Sequence, residues 1–188
     1  MRVVTLTPPL LSDACHQLSQ RVLAAGCHPS LIIGVQSGGA EVSRRMRPDF
    51  ADVPYAEVRI SRPSTRQKEQ GLTHRLLRLM PLWLCDVLRI AESKVGEWRS
   101  HSAVPQRIGQ LALEAEVPAG STILVIDDAI DTGATLQTLT QYLAERYPQA
   151  IVRIAVITVT TSSPVCDAHF ALYRDHTLCR FPWSNDYR

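Results

Sequence analysis

Apolar residues recur at helical spacing from Leu10 through Leu11, Ala14, Leu18, Val22 and Leu23, and Gly26 follows as a stop. Residues 31–35 form a continuous apolar run of the kind buried on both faces of a sheet, and 55–60 read as a second strand. The pattern predicts further strands at 123–126, 151–159 and 170–173, and helices at 40–47 and 136–146. Strands alternating with helices predict an α/β chain with a doubly wound, mostly parallel sheet flanked by helices. Residues 61–71 are polar and rich in Arg, Lys and Gln, without apolar periodicity. Residues 72–91 read as a helix interrupted at Pro81, too apolar to lie exposed, so burial in the domain or in a dimer interface is expected. The stretch 61–110 exceeds an ordinary loop, so this insert is expected to carry structure of its own.

Composition narrows the class. A chain of 188 residues predicts one domain, 1–188, with ample length for a core. A net charge of +2 gives no basis for nucleic-acid or polybasic membrane binding. Cys15, Cys27, Cys85, Cys166 and Cys179 show no C-x-x-C pair and no metal-ligand spacing, a usage that points to a reducing cytoplasm. The first residues lack the apolar run of a signal peptide, and no stretch approaches a membrane span. The histidines form no metal-ligand cluster.

Candidate chemistry concentrates at Ile123-Leu-Val-Ile-Asp127-Asp128-Ala-Ile-Asp131-Thr132-Gly133-Ala134-Thr135. Four apolar residues lead into two adjacent carboxylates, and a turn with two hydroxyls and a Gly follows where a helix should begin. A helix start offers unpaired N–H donors and the positive end of a dipole, so the turn reads as a phosphate cradle. Open α/β sheets bind ligands at the carboxyl ends of their strands, where this pair falls. Carboxylates beside a phosphate cradle suit a phosphorylated sugar. The plainer alternative is a buried strand capped by an Asp-rich turn.

These thirteen positions resemble the phosphoribosyl pyrophosphate signature of the type I phosphoribosyltransferase family. The resemblance implies that family's fold, with a small C-terminal hood at 160–188 and a lid within the insert at 61–110. It implies that Asp127 and Asp128 accept from the ribose hydroxyls, and that Asp131, Thr132, Gly133, Ala134 and Thr135 hold the 5′-phosphate. It also makes Asp131 the catalytic base, with helix capping as its structural alternative. A second segment, Ile33-Gly34-Val35-Gln36-Ser37-Gly38-Gly39, resembles the family's pyrophosphate loop in the form found in xanthine-guanine phosphoribosyltransferases. There a strand ends in Gly-x-x-Arg-Gly-Gly, and here Ser37 replaces the Arg, so one positive charge is missing. The family often has a non-proline cis peptide in this loop, and Gln36–Ser37 is the corresponding bond.

The lid implied by the resemblance would bring Arg62, Arg66 and Lys68 to the pyrophosphate; the alternative is a solvated loop. The hood would bear on the acceptor base through Thr160, Leu178, Phe181 and Trp183. Phe181-Pro182-Trp183 resembles the family's ending, whereas Thr160 falls where the 6-oxopurine enzymes carry a Lys and Leu178 where they carry a stacking ring. Packing is the alternative for Phe181 and Trp183. The implied activity is transfer of phosphoribosyl from 5-phospho-α-D-ribose 1-diphosphate to a small nitrogenous acceptor, as in purine salvage, or the reverse. The two departures argue against a standard 6-oxopurine as acceptor. The implied cofactor is Mg²⁺, held by donor oxygens with help from Asp127 and Asp128. A homodimer is the expected assembly. The competing expectation is a regulatory protein that binds the same donor without turning it over.

Overall fold

The computed structural model describes residues 2–61, 107–108, 116–174, 177–184 and 187. Strand β1 (Arg2–Thr5) leads into helix α1 (Pro8–Ala24), with Pro8 and Pro9 at its first positions, where a missing N–H costs nothing. Strand β2 (Pro29–Gln36), helix α2 (Gly38–Met46) and a short 3₁₀ turn (Arg47–Phe50) follow. Strands β3 (Tyr55–Ser61) and β4 (Arg107–Ile108) pair antiparallel. Then come β5 (Thr122–Ile130), α3 (Ala134–Arg146), β6 (Ile151–Val159), β7 (Phe170–Tyr173) and β8 (Thr177–Arg180).

Six strands form one sheet in the order β4-β3-β2-β5-β6-β7, parallel except at the β3–β4 edge. The predicted helices and strands of the described core are all present. The sheet is doubly wound because its apolar runs alternate faces. Leu31, Ile33 and Val35 join Ile123 and Val125 under α3. Ile32, Leu124 and Ile126 pack with α1 and α2 on the opposite face. A period of two inside an all-apolar strand thus builds two cores, one on each side of the sheet.

From β2 the chain continues to β3 on one side, and from β5 to β6 on the other. Since β2 and β5 are neighbours, in register from Leu31↔Ile123 to Gly34↔Ile126, the strand order reverses between them. Such a switch point opens a crevice at the carboxyl ends of its strands. The loop after β2 and the turn after β5 both lie there.

A second, two-stranded parallel sheet joins β1 to β8. Leu6 N donates to Arg180 O at 2.9 Å, and the buried Arg180 donates from Nη1 to Thr5 Oγ1 at 2.9 Å. Thr158 Oγ1 donates to Thr177 O at 2.5 Å, tying this sheet to β6. Neither β1 nor β8 was legible beforehand. Each has four residues, and its partner lies at the other end of the chain, so no local pattern marks the pair. The interrupted helix expected over 72–91 lies outside the described residues.

Candidate active site

β5 runs past the apolar residues and carries Asp127 and Asp128 within the strand, ending at Ile130. The turn Asp131-Thr132-Gly133 then starts α3 at Ala134, two residues before the expected start. Gly133 has φ of 81°, a left-handed conformation that a Cβ disfavours. A Cβ there would also lie 2.5 Å from the Cys166 carbonyl oxygen. Thr132 is used twice: its Oγ1 accepts from Ala134 N at 3.3 Å, and its carbonyl accepts from Val165 N at 2.9 Å. A helix thus begins directly after the turn, and helix starts carry unpaired N–H groups.

The β2 loop closes on the carboxylates from the other side. Its Gln36–Ser37 peptide is cis, as the resemblance implied. Gly38 and Gly39 are buried, whereas Gln36 and Ser37 are exposed. A Cβ on Gly38 would fall 1.9 Å from Asp128 Oδ2, and one on Gly39 would fall 2.5 Å from Ile126 O and 2.6 Å from Asp127 Cα. Glycine at both positions is what lets the loop backbone rest on β5. Gln36 Nε2 donates to Glu57 Oε2 at 3.0 Å, and Tyr55 Oη and Arg44 Nε donate to Glu57 Oε1 at 2.9 and 3.0 Å. Bonds from Arg44 first and Gln36 second hold the Glu57 carboxyl below the usual range. Nothing in the sequence pattern singled out Glu57, whose place beside the loop comes from the Gly34↔Glu57 register.

Asp127 and Asp128 are half-buried side by side. Asp127 Oδ1 accepts from Asp128 N at 2.9 Å. Desolvation first and the Asp128 charge second hold the Asp127 carboxyl well above its ordinary range. Desolvation also raises Asp128, opposed chiefly by a bond from Trp183, whose indole Nε1 donates to Asp128 Oδ2 at 2.9 Å. The Trp183 ring stacks on Phe181, with centroids 4.9 Å apart and planes 6° from parallel.

The residues expected to form the acceptor hood are arranged differently from one another. Thr160, Leu178 and Phe181 are buried, at 4%, 5% and 4% exposure, while Trp183 is partly exposed. Thr160 Oγ1 donates to Asp131 Oδ1 at 2.8 Å, with Ile130 O further off at 3.2 Å. Asp131 is itself exposed, and Gly133 holds the N-cap position of α3, which has no side-chain cap. The structure thus brings together Gln36–Gly39, Asp127, Asp128, the 131–135 turn, Thr160 and Trp183. Leu178 and Phe181 stand behind them in packing positions. The lid residues Arg62, Arg66 and Lys68 lie outside the described residues.

The paired carboxylates fit a divalent cation of the magnesium type. Desolvation and mutual repulsion penalise two adjacent charged carboxylates, a cost that a bound cation would relieve, and Mg²⁺ takes one or two carboxylates together with substrate phosphates and waters. Among the described residues no group of three or more His, Cys, Asp or Glu side chains could hold a metal alone.

Fold and site together define a doubly wound α/β protein with a carboxylate pair and a strand-to-helix turn at its switch point. The family model of the phosphoribosyl transferase domain matches residues 5–166, and the chain belongs to this family. It is a type I phosphoribosyltransferase, an enzyme of the glycosyltransferase class that draws on the phosphoribosyl pyrophosphate donor. A search of curated protein sequences finds no match. Among solved structures the chain is similar to the purine phosphoribosyltransferase of Pyrococcus horikoshii Ot3, with 17% identity, 98% of this chain and 95% of that one covered, and a TM-score of 0.63. It is similar to the Helicobacter pylori xanthine-guanine-hypoxanthine phosphoribosyltransferase at 13% identity, 97% and 94% coverage, and a TM-score of 0.67. A Neisseria gonorrhoeae protein solved with bound ppGpp matches at 15% identity, 97% and 89% coverage, and a TM-score of 0.63. At such identities the fold is what is shared. No helix among the described residues is long and apolar enough to cross a membrane.

Proposed function

We propose that this enzyme transfers the phosphoribosyl group of Mg²⁺-bound 5-phospho-α-D-ribose 1-diphosphate to a ring nitrogen of a small acceptor other than a standard 6-oxopurine, releasing pyrophosphate, or runs the reverse reaction. The observation that carries this reading is the adjacent Asp127 and Asp128 between the Gly38–Gly39 loop and the turn that starts α3. Asp127 and Asp128 accept hydrogen bonds from the ribose hydroxyls, and the amides and hydroxyls of 131–135 hold the 5′-phosphate. Amides of the 36–39 loop face the pyrophosphate, without the charge that an Arg at position 37 would add. Asp127 and Asp128 would help hold Mg²⁺, which would supply neutralisation of the pyrophosphate charge; the C1–oxygen bond breaks as pyrophosphate leaves. The acceptor nitrogen bonds to C1, and its proton passes to Asp131, which Thr160 orients. Positioning lowers the barrier further by making the encounter of donor and acceptor effectively intramolecular.

The choice of acceptor rests on Thr160 and Leu178. Thr160 spends its hydroxyl proton on Asp131, and Leu178 is buried, so neither takes the role of a purine-holding Lys or ring. The reading takes 1–188 as one domain with 160–188 as hood, working as a cytoplasmic homodimer.

The test is pyrophosphate release from the donor with Mg²⁺ across a panel of purine and pyrimidine bases, with Asp127→Ala/Asp128→Ala as control. Release with a non-6-oxopurine base, lost in the control, supports the reading. Efficient release with guanine or hypoxanthine overturns the acceptor assignment. Donor binding without release for any base favours the regulatory alternative.

A further inference from the structure

Asp128 is the point where three distant parts of the chain meet. It belongs to β5, its Oδ2 lies against Gly38 of the loop after β2, and the same oxygen accepts from Trp183 of the C-terminal segment. Because Gly38 carries no Cβ, Asp128 Oδ2 can lie where that atom would be: a Cβ built there would fall 1.9 Å from Oδ2 and 2.9 Å from Oδ1. The indole N–H approaches that same oxygen at 2.9 Å. Oδ2 thus meets both the loop and the indole, while the Asp127 side chain and the Ala129 backbone also bond this carboxylate. Trp183 is in turn fixed by its parallel stack on the buried Phe181, which sits in the core shared with α1 and β5. An aromatic ring seated this way keeps its N–H direction at little cost in conformational freedom.

We propose that Trp183 is a positioning residue for the donor: its indole N–H fixes the Asp128 carboxylate for the ribose, so the C-terminal segment contributes to donor affinity. This rests on the reading of Asp128 as a ribose ligand. Trp183 acts through Asp128 and needs no contact with the acceptor. The hood thereby becomes part of the donor site, and displacement of Trp183 weakens the donor even when Asp127, Asp128 and the turn are intact.

The test is calorimetric titration of 5-phospho-α-D-ribose 1-diphosphate with Mg²⁺ into four full-length proteins: wild type, Trp183→Phe, Asp128→Ala and the double variant. Phe keeps an aromatic ring to stack on Phe181 while removing the N–H donor together with the second ring. Trp183→Phe should weaken donor binding by roughly tenfold or more, the scale of a hydrogen bond to a charged group. In the Asp128→Ala background the same substitution should change affinity by less than about twofold, because a cycle isolates the pair. A merely structural role would give equal losses in both backgrounds and would overturn the proposal. Unchanged donor affinity in Trp183→Phe would also overturn it, and tighter binding would mean that the indole competes with a ribose hydroxyl. Absence of donor binding by wild type would overturn the Asp128 reading together with this one. A second measurement needs no variant at Trp183. One indole ¹H–¹⁵N resonance should move in Asp128→Ala and again when donor is added to wild type. If none moves in either case, the Trp183–Asp128 bond does not operate in solution.

Discussion

The turn between β5 and α3 and the C-terminal segment 160–184 serve one site in opposite ways. The turn exposes Asp131 and partly exposes Thr132, Ala134 and Thr135, so its groups are open to solvent. The C-terminal segment buries Thr160, Leu178 and Phe181, and its polar atoms reach the site through Asp131 and Asp128. A residue type at a family's ligand position is thus not by itself a ligand. What it does depends on whether packing leaves it facing the crevice.

The sharpest way to break this comparison is to truncate both regions. Leu178→Ala removes a core side chain and should cost about 2–5 kcal/mol of unfolding free energy. Asp131→Asn, in the exposed turn, should stay within about 0.5 kcal/mol of wild type. Its turnover should nonetheless fall on the order of a hundredfold at unchanged donor affinity. Urea denaturation and single-turnover kinetics measure the two effects. Equal stability losses would erase the distinction between the regions.

Next in size are the loop glycines. Gly39→Ala drives a Cβ into the backbone of Ile126 and Asp127, which cannot rotate away, and should lose about 1–3 kcal/mol by denaturation. Gly38→Ala meets the Asp128 side chain instead, which can turn. It should lose less stability and more donor affinity. The reverse ranking would show that the loop does not rest on β5 as described.

A smaller effect separates Thr160 as an orienting group from Thr160 as filler. Thr160→Val keeps the shape, removes the bond to Asp131, and should cost about 1 kcal/mol. Turnover should fall while donor affinity holds, as calorimetry and initial rates would show. Turnover equal to wild type would remove Thr160 from the mechanism.

The smallest effect concerns pH. Burial and the Asp128 charge raise the Asp127 carboxyl, so the folded chain holds that proton more tightly than the unfolded one. The associated stability is complete below the unfolded value and is lost as pH rises through the raised folded value. Without donor, wild type should therefore melt lower near pH 7 than Asp127→Asn, which carries no charge there. The gap should close as pH falls toward about 4. Melting temperatures across that range test it, and a gap that widens on acidification would reverse the sign. Active sites commonly hold such destabilising charge for function.

Local chemistry made the centre of the site legible in the sequence. Asp127, Asp128 and the 131–135 turn are consecutive, so their proximity needs no tertiary information. The Gly38–Gly39 loop was legible as a glycine turn after an apolar strand, and only the family resemblance tied it to the carboxylates. Parity along β5 carried a further signal: Asp128 shares its face with Leu124 and Ile126, the face whose core includes Phe181. That face is where Trp183 arrives, although parity alone could not bring it there.

By itself the sequence determined the two strand-turn-helix units, the alternation that makes the sheet doubly wound, and the carboxylates with the turn that follows them. These depend on periods of 2 and 3.6 residues and on neighbours in the chain. Only the tertiary structure decided the partners: Trp183 on Asp128, Thr160 on Asp131, Glu57 on Gln36, and β1 beside β8. Each joins residues 21 to about 175 positions apart, and which of many distant donors meets a given carboxylate is fixed by the packing of whole layers, not by any local pattern.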